Sequence, residues 1–230
     1  MSRLLDVSTS FVSTLLRPGA GMIVRGVGAR PEARIRLYEF EGCPYCRKVR
    51  EMLTTLDLDA AIFPCPKGGT RFRSEVEKHG KQQFPFMIDP NTNTELFESD
   101  DIIKYLAERY GDGKVPLSLR MGPLTVLSGS AGSLIRFPRG TRARPSRMPE
   151  GPLELYSYEA SPYSRLVREA LSELELPYVL HNLGRGSRKR EEFVKLSGKM
   201  QVPFLVDPNT GVAMFESAEI VKYLDQTYAL

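Results

Sequence analysis

The sequence has few of the residues that build a disulfide framework, a metal centre or a membrane span. It contains three cysteines and two histidines, and no apolar run approaches the roughly 20 residues needed to cross a bilayer. So few cysteines exclude a disulfide-stapled scaffold and favour a reducing compartment. His79 and His181 lie far apart in the sequence, so neither is assigned a ligand role, and we predict no metal site.

Acidic residues are missing from one part of the chain. Residues 113–149 hold seven Lys and Arg residues and no Asp or Glu, and residues 1–36 are also rich in Arg. The simplest interpretation of residues 113–149 is a solvated linker, and peripheral contact with anionic lipid is the alternative. Because few aromatic side chains accompany these arginines, we expect no nucleic-acid partner.

An internal duplication organises the rest of the chain. Residues 37–110 align without a gap to residues 155–228 at a constant offset of 118, with about 30 identities in about 75 positions. The predicted organisation is an N-terminal extension (1–33), a first domain (34–113), a basic linker (114–152) and a second domain (153–230). The extension is equally consistent with a transit-like remnant and with a short amphipathic helix packed on a repeat.

Hydrophobic periodicity predicts the order βαβ-α-ββα in each repeat, an α/β fold with a mixed sheet. The first strands are predicted at Ile35–Phe40 and Leu153–Tyr158, and the helices that follow open at prolines, which fit a first helical turn. We expect Ser99 and Ser217 to cap the final helices. One amphipathic segment is also predicted within the linker, from Leu124–Leu127 and Leu134–Phe137.

The clearest chemical signal is Cys43-Pro44-Tyr45-Cys46, which returns in the second repeat as Ser161-Pro162-Tyr163-Ser164. A CxxC between a strand and a helix is typical of thioredoxin-like oxidoreductases, because the helix N-terminus stabilises a thiolate. We therefore predict Cys43 as the nucleophile and Cys46 as the resolving thiol. Two buried cysteines or half of a metal site are the alternatives for this pair. The third cysteine, Cys65, is expected to be a small buried hydrophobic residue, with a regulatory thiol as the alternative.

The element order, the CPYC sequence, Phe84-Pro85-Phe86 and Glu98-Ser99 together resemble the glutaredoxin-like N-terminal domain of glutathione transferases. The resemblance covers both repeats and implies two tandem thioredoxin-like domains. A tandem pair with an N-terminal extension further resembles plastid glutathione transferase-like proteins of plants and algae. That resemblance implies a chloroplast protein that is soluble or peripherally attached to a membrane.

The resemblance also implies glutathione as co-substrate and a set of residues that contact it. Pro85 and Pro203 correspond to the cis prolines of the fold, and a Glu-Ser pair holds the γ-glutamyl end. A turn proline and a bare helix cap are the alternatives for these positions. The implied glutathione contacts of the first repeat are Tyr45, Lys81, Phe84, Pro85, Glu98 and Ser99. Those of the second repeat are Ser161, Val202, Pro203, Glu216 and Ser217.

Three function classes are consistent with these residues. The favoured one is a glutathione-linked thiol-disulfide oxidoreductase acting on disulfide or glutathionylated proteins, with a second domain that binds glutathione or a partner without redox chemistry. The first alternative is a glutathione-binding or transferase-like protein in which both sites hold the tripeptide and redox turnover is incidental. In its second site Ser161 would donate a hydrogen bond to the bound thiolate. The all-helical domain that builds the electrophile pocket of such transferases is missing from this sequence. The second alternative, which we favour least, is an iron-sulfur cluster carrier that uses Cys43 and glutathione.

Overall fold

Each repeat folds into the predicted order of elements. The computed structural model describes residues 3–15, 21–120 and 136–230. The first repeat comprises β1 (Ile35–Glu39), α2 (Pro44–Thr55), β2 (Ala60–Pro64), α3 (Arg73–Glu77), β3 (Phe86–Asp89), β4 (Thr94–Leu96) and α4 (Ser99–Tyr110). The second comprises β5 (Leu153–Ser157), α6 (Pro162–Glu173), β6 (Tyr178–Asn182), α7 (Lys189–Ser197), β7 (Phe204–Asp207), β8 (Val212–Phe215) and α8 (Ser217–Tyr228). Outside the repeats, the described residues include the helices α1 (Arg3–Leu15) and α5 (Leu117–Arg120), the second of them short.

The two repeats share a single sheet. Its strand order is β4-β3-β1-β2-β6-β5-β7-β8, in which β1 and β2 run parallel and the hairpin strands β3 and β4 run antiparallel. The second repeat has the same pattern on the other side. The predicted mixed sheet is therefore present in both repeats, but the sheet continues across the boundary between them.

The junction between the repeats is antiparallel and symmetric. Strand β2 pairs with β6 so that Ala61 lies opposite Val179, and these two residues are equivalents under the offset of 118. Ala60 and Ile62 face Leu180 and Tyr178, which exchange places under the same offset. The pairing gives the chain a pseudo-twofold axis at Ala61 and Val179. It also covers a strand edge that each repeat alone would expose.

The largest of the hydrophobic clusters among the described residues packs α2, α4, α6 and α8 against the sheet. In the first repeat Leu37 of β1 packs with Val49 of α2 and Ile102 of α4, all of them buried. Their equivalents Leu155, Val167 and Ile220 belong to the same cluster. The apolar stripes predicted from helical spacing therefore face the sheet, and burial of such side chains, about 1.5–3 kcal/mol each, is what holds the helices in place.

A buried aspartate ties the last helix of each repeat to its hairpin. Asp89 Oδ2 accepts hydrogen bonds of 2.6 Å from the hydroxyls of Tyr105 and Tyr110, and Asp89 Oδ1 accepts one of 2.9 Å from the backbone N–H of Asn91. The second repeat repeats this arrangement with Asp207, Tyr223, Tyr228 and Asn209. The duplicated Asp-Pro-Asn-Thr sequence is thus explained by packing and not by ligand binding.

The segments that precede the two repeats cross over to the opposite repeat. Gly21 O accepts a bond from Ala160 of the second repeat, and Gly140 O accepts one from Gly42 of the first, both at 3.0 Å. Both glycines have positive φ angles, of 64° and 61°, which glycine adopts without strain. Further along, Gly28 N–H bonds to Tyr110 of its own repeat. The duplicated unit therefore includes a segment before β1 and an equivalent segment before β5. Each of these segments contacts the opposite repeat.

Several predictions about the flanking segments are changed by the structure. Helix α1 packs on α6, which is the packed-helix interpretation of the extension. Arg136 is buried and Arg144 pairs with Glu173 and Asp225, so this part of the basic linker is not a solvated tether. Most of the predicted amphipathic segment, residues 124–135, lies outside the described residues. Among the helices in the described ranges, none is long and apolar enough to cross a membrane.

Candidate active site

The dithiol lies at the start of α2. Cys43 is the N-cap residue, with extended backbone angles, and its sulfur accepts a hydrogen bond of 3.3 Å from the backbone N–H of Cys46. Pro44 occupies the first helical position, as predicted. Cys43 is 5% exposed and Cys46 is fully buried, so the two thiols differ in access in the order that the sequence predicts.

The surroundings separate the two thiols chemically. Burial by itself would raise the pKa of Cys43, but donation from the Cys46 thiol and from the backbone N–H groups of Cys46 and Tyr45 lowers that pKa below its ordinary value of 9.0. Burial and the hydrogen bond to Cys43 raise the pKa of Cys46 well above 9.0. Cys43 is therefore the thiol of the pair that loses its proton more readily, and Cys46 is the one that keeps it.

The sheet places the other predicted residues at the same end as the dithiol. Because β3 runs antiparallel to β1, with Phe86 opposite Tyr38, the preceding Pro85 lies beside the end of β1 that leads to Cys43. The Phe84–Pro85 bond is cis, and the ring of Phe84 packs edge-on against Phe40 at 6.3 Å. Strand β4 also ends at this end of the sheet, with Leu96 opposite Met87. The predicted cis proline is confirmed, as is Val202–Pro203 in the second repeat.

Glu98 and its neighbours complete this edge of the first repeat. Glu98 Oε1 accepts hydrogen bonds from Gln83 Nε2 at 2.8 Å and from Lys81 Nζ at 3.3 Å. Ser99 is the first residue of α4 and Glu98 is the N-cap, and neither side chain makes a capping hydrogen bond. The prediction that Ser99 and Ser217 cap their helices is therefore wrong, since each serine lies one position inside the helix. Tyr45 is 47% exposed beside the dithiol.

The second repeat keeps the same geometry with hydroxyls in place of thiols. Ser161 is the N-cap of α6, and its Oγ accepts from the backbone N–H of Ser164 at 3.2 Å and from the Ser164 hydroxyl at 2.8 Å. Ser161 thus retains its own hydroxyl proton for an acceptor outside this pair. That is the role predicted from its resemblance to serine-type transferases.

Helix α1 lies against this second site. Ser10 Oγ donates to the carbonyl of Pro162 at 2.7 Å, and the rings of Phe11 and Tyr163 meet edge-on at 5.6 Å. Ser161 is buried. The N-terminal extension is therefore part of the second site's wall, a role that the sequence did not indicate.

The two Glu-Ser pairs differ in backbone conformation. Glu216 has φ 68° and ψ 110°, a region that costs a non-glycine residue about 1–3 kcal/mol, whereas Glu98 has φ −79° and ψ 129°. Glu216 Oε1 accepts a bond of 2.6 Å from Gln201, the equivalent of Gln83. Lys199 lies over the ring of Phe215 at 4.4 Å. Backbone strain of this kind is concentrated at functional sites, so Glu216 is a candidate functional residue of the second repeat.

Behind the two sites lies a buried square of charges that joins the repeats. Arg50 of α2 contacts Glu159 at 2.9 Å and Glu41 at 3.0 Å, and Arg168 of α6 contacts Glu41 at 2.9 Å and Glu159 at 3.0 Å. These four residues are two equivalent pairs under the duplication. Burial alone would raise the pKa of Glu159, but Arg168 and Arg50 lower it to about 2. The helices that carry the two sites are thus linked by crossed ion pairs.

Glu39 is the one acidic residue of this region without a duplicate, since Ser157 holds its position in the second repeat. Its carboxylate is buried and pairs with Arg50. Burial raises the pKa of Glu39 to about 7, because Arg50 is shared with Glu41 and Glu159, whose charges also disfavour a further carboxylate. The negative charge of Glu39 also acts on Cys43 and Cys46, raising the pKa of each.

Other residues considered in the sequence have structural partners. Arg47 and Lys48, which follow the dithiol, are buried, and they pair with Glu51 at 3.1 Å and with Asp100 at 2.5 Å. Cys65 is fully buried and burial raises its pKa, which fits the expected role as a hydrophobic residue. His79 packs on Phe86 and His181 stacks on Tyr156. In the described part of the chain, no group of three or more His, Cys, Asp or Glu side chains is placed to hold a metal ion.

Sequence reasoning missed two kinds of residue at these sites. The side chains of Gln83 and Gln201 donate hydrogen bonds to Glu98 and Glu216. The sequence carried a signal for them, since both repeats have glutamine at this position. The crossed pairs of Glu41 and Glu159 were also visible as identical residues, but only the joined sheet shows that each glutamate meets the arginine of the other repeat.

Comparison with known proteins identifies the family of this chain. The model of the glutathione S-transferase N-terminal domain matches residues 37–114 and again residues 155–230, which together make up more than half of the chain. The chain therefore belongs to the glutathione S-transferase N-terminal domain family, and it carries that thioredoxin-like domain twice.

Individual relatives cover only one repeat. The chain is 34% identical over 77 residues to the glutathione S-transferase-like protein OpS6 of Beauveria bassiana, covering 34% of this chain and 35% of the relative. It is 31% identical over 86 residues to protein URE2 of Meyerozyma guilliermondii, covering 36% and 29%. The chain thus matches about a third of the length of these relatives.

Solved structures of glutathione transferases are among those that align with it. Glutathione transferase BmGSTD1 of Bombyx mori aligns with a TM-score of 0.33 and 29% identity over 36% of this chain and 38% of that one. The trimeric glutathione transferase TDR1 of Leishmania aligns with a TM-score of 0.31 and 13% identity over 86% and 67%.

Proposed function

We propose that the first repeat is a glutathione-linked thiol-disulfide oxidoreductase. The observation that carries the proposal is the difference between the two thiols: Cys43, at the helix start, accepts the backbone N–H of Cys46 and has a lowered pKa, whereas the pKa of the fully buried Cys46 is raised. A nucleophile of lowered pKa and a resolving thiol one turn away are what thiol-disulfide exchange requires. Family membership supports glutathione as the small thiol partner.

The reaction balances with glutathione as the reductant. The Cys43 thiolate attacks the glutathione sulfur of a glutathionylated protein, so that the protein thiolate leaves and a disulfide forms between Cys43 and glutathione. A second glutathione thiolate then attacks this disulfide, which releases oxidised glutathione and restores the Cys43 thiolate. With a protein disulfide as substrate, the Cys43 thiolate attacks one sulfur, the other sulfur of the protein leaves as a thiolate, and a mixed disulfide forms between Cys43 and the protein. Cys46 then attacks Cys43, its proton goes to the departing protein thiolate, and a Cys43–Cys46 disulfide remains. Two glutathione molecules reduce this disulfide in two exchange steps and leave as oxidised glutathione.

The experiment compares single cysteine variants in a glutathione-coupled reductase assay. Cys43→Ser should abolish both deglutathionylation and protein disulfide reduction, whereas Cys46→Ser should spare deglutathionylation, because only Cys43 forms the mixed disulfide. Cys65→Ser is the matched control and should leave both activities unchanged. Equal loss in the Cys43 and Cys46 variants, or no loss in either, would overturn the proposal.

A second function, glutathione binding without redox chemistry, is proposed for the second repeat. Two observations favour it: Ser161 keeps a hydroxyl proton to donate, and Glu216 is held in a strained conformation at the predicted γ-glutamyl position. A hydrogen bond from Ser161 would stabilise the glutathione thiolate. A chloroplast location and peripheral membrane contact remain predictions from the resemblance.

A further inference from the structure

A small cavity lies between the two repeats, close to the helices that carry the candidate sites. It leaves about 10 Å³ for the centre of a water-sized sphere, which is room for one water molecule or one monatomic ion. The cavity is lined by four arginines and two glutamates, together with one glycine: Arg47, Arg136, Arg139, Arg165, Glu41, Glu169 and Gly42. Arg47 and Arg165 are equivalents, each one turn beyond the N-cap of its helix.

Arg165 is the member of this set whose charge is poorly matched. Its side chain is 5% exposed, and its closest carboxylate oxygens, on Glu41 and Glu159, are both 3.9 Å away. Its Nε and Nη2 atoms are buried and have no hydrogen-bond acceptor, and only Nη1 is engaged, with Ser13 Oγ. A buried guanidinium with two unused donors is costly unless something in the cavity accepts from them.

The other arginines of the lining have close acidic partners. Arg47 Nε donates to Glu51 at 3.1 Å, and Arg136 makes bonds of 2.9 and 2.5 Å to Glu169. Arg139, which is 42% exposed, reaches Asp6 at 3.5 Å and lies where solvent can enter. Arg165 alone among them lacks a carboxylate within this range. Burial and the charge of Arg47 lower the pKa of Arg165 to about 10, which again marks a cation short of negative charge.

The charges of the lining favour an anion over water. Four guanidinium groups face two carboxylates, and both carboxylates are already engaged: Glu169 with Arg136, and Glu41 with Arg168 at 2.9 Å. A water molecule would accept from one or two donors of Arg165 but would not offset the charge of that guanidinium, whose nearest carboxylate oxygens are 3.9 Å away. A monatomic anion would satisfy the donors and compensate the charge as well.

We propose that this cavity binds a single monatomic anion of the halide class, with Arg165 as its main ligand and Arg47, Arg136 and Arg139 around it. The bound anion would hold together α1, α2, α6 and the segment at 136–139, because Ser13 and the four arginines come from those parts of the chain. The site is independent of the proposed redox activity, and none of its residues belongs to the dithiol.

The first test measures the melting temperature of the whole chain as chloride replaces gluconate at constant ionic strength. We expect Tm to rise by about 2–4 °C between chloride-free buffer and 100 mM chloride, since a ligand that binds only the folded state stabilises it. Arg165→Met should remove this dependence. The matched control is Lys48→Met, which removes a buried cation of α2 outside the cavity at a position where the second repeat has Leu166. It should keep the chloride response.

The second test does not depend on the variants. Crystals of the wild-type chain grown in bromide should show an anomalous peak in the cavity, next to Nε and Nη2 of Arg165. A cavity that holds only water or stays empty in 0.2 M bromide, roughly the concentration at which a weak halide site fills, would overturn the proposal. A melting temperature of the wild type that does not respond to chloride would also overturn it.

Discussion

Replacing Glu39 by Gln should flatten the pH dependence of stability between about pH 4.5 and pH 7. In the folded chain Glu39 keeps its proton up to a pKa of about 7, whereas the unfolded chain releases it near the ordinary value of 4.5. Between these pH values the folded state binds more protons than the unfolded state, so stability falls as pH rises. The contribution of protonated Glu39 to the unfolding free energy is fully present below pH 4.5 and is lost as pH rises through 7.

The size of the effect follows from the two pKa values. Each pKa unit corresponds to about 1.4 kcal/mol, so the change from 4.5 to about 7 amounts to about 3 kcal/mol of unfolding free energy. Glu39 is 2% exposed, so solvent does little to screen this energy. Gln has the shape of the protonated side chain and does not titrate, so the variant should lack this part of the slope.

The assay is urea unfolding at four or five pH values from 4.5 to 8, with the difference between variant and wild type as the readout. Other buried groups, such as Glu169, titrate in both proteins and cancel in this difference. Asp207→Asn is the control: burial alone would raise the pKa of Asp207, but hydrogen bonds from Tyr223 and Tyr228 lower it below its ordinary value of 3.8, so its contribution to stability does not change above pH 4.5. That variant should be less stable but should keep the wild-type slope. A Glu39→Gln difference that stays constant across the window would refute the protonation of Glu39.

Two further predictions concern the second repeat. If it is a transferase-like glutathione site, conjugation of an electrophile should survive Cys43→Ser and fail in Ser161→Ala, and the reverse pattern would assign the activity to the dithiol. Glu216→Gly should be neutral or stabilising by up to about 2 kcal/mol, since glycine adopts φ 68° without strain. Glu98→Gly, at φ −79°, should cost about 0.5–1 kcal/mol in the same unfolding assay, and equal effects of the two glycine variants would contradict the assignment of strain.

Much of each domain could be predicted from the sequence because the signals are local. Strand and helix periodicity, a proline at the first helical position and the spacing of Cys43 and Cys46 all act within a few residues of one another. The order of elements followed from the periodicity and the cis bond before Pro85 from the family resemblance, and both are confirmed. The error at Ser99 was a shift of one residue at a helix end, where Glu98 and not Ser99 is the N-cap.

The arrangement of the repeats could not be predicted in this way. Ala61 and Val179 look like ordinary strand residues, and nothing in either repeat indicates that their strands pair across a pseudo-twofold axis. Arg50 and Glu159 are 109 residues apart, and each would have been taken for a surface residue of its own helix or loop. Pairing over such distances depends on the register of the joined sheet, which is a property of the whole fold.

By itself, the sequence determined the duplication, the two thioredoxin-like units and the contrast between a dithiol and a pair of hydroxyls. Only the tertiary structure decided that the units form one sheet, that α1 covers Ser161, and that Glu39 and Arg165 are charges buried at the junction. The physical reason is that local propensity acts through neighbours in the chain, whereas burial, and with it the pKa of Glu39 and the unmet hydrogen bonds of Arg165, depends on which surfaces meet.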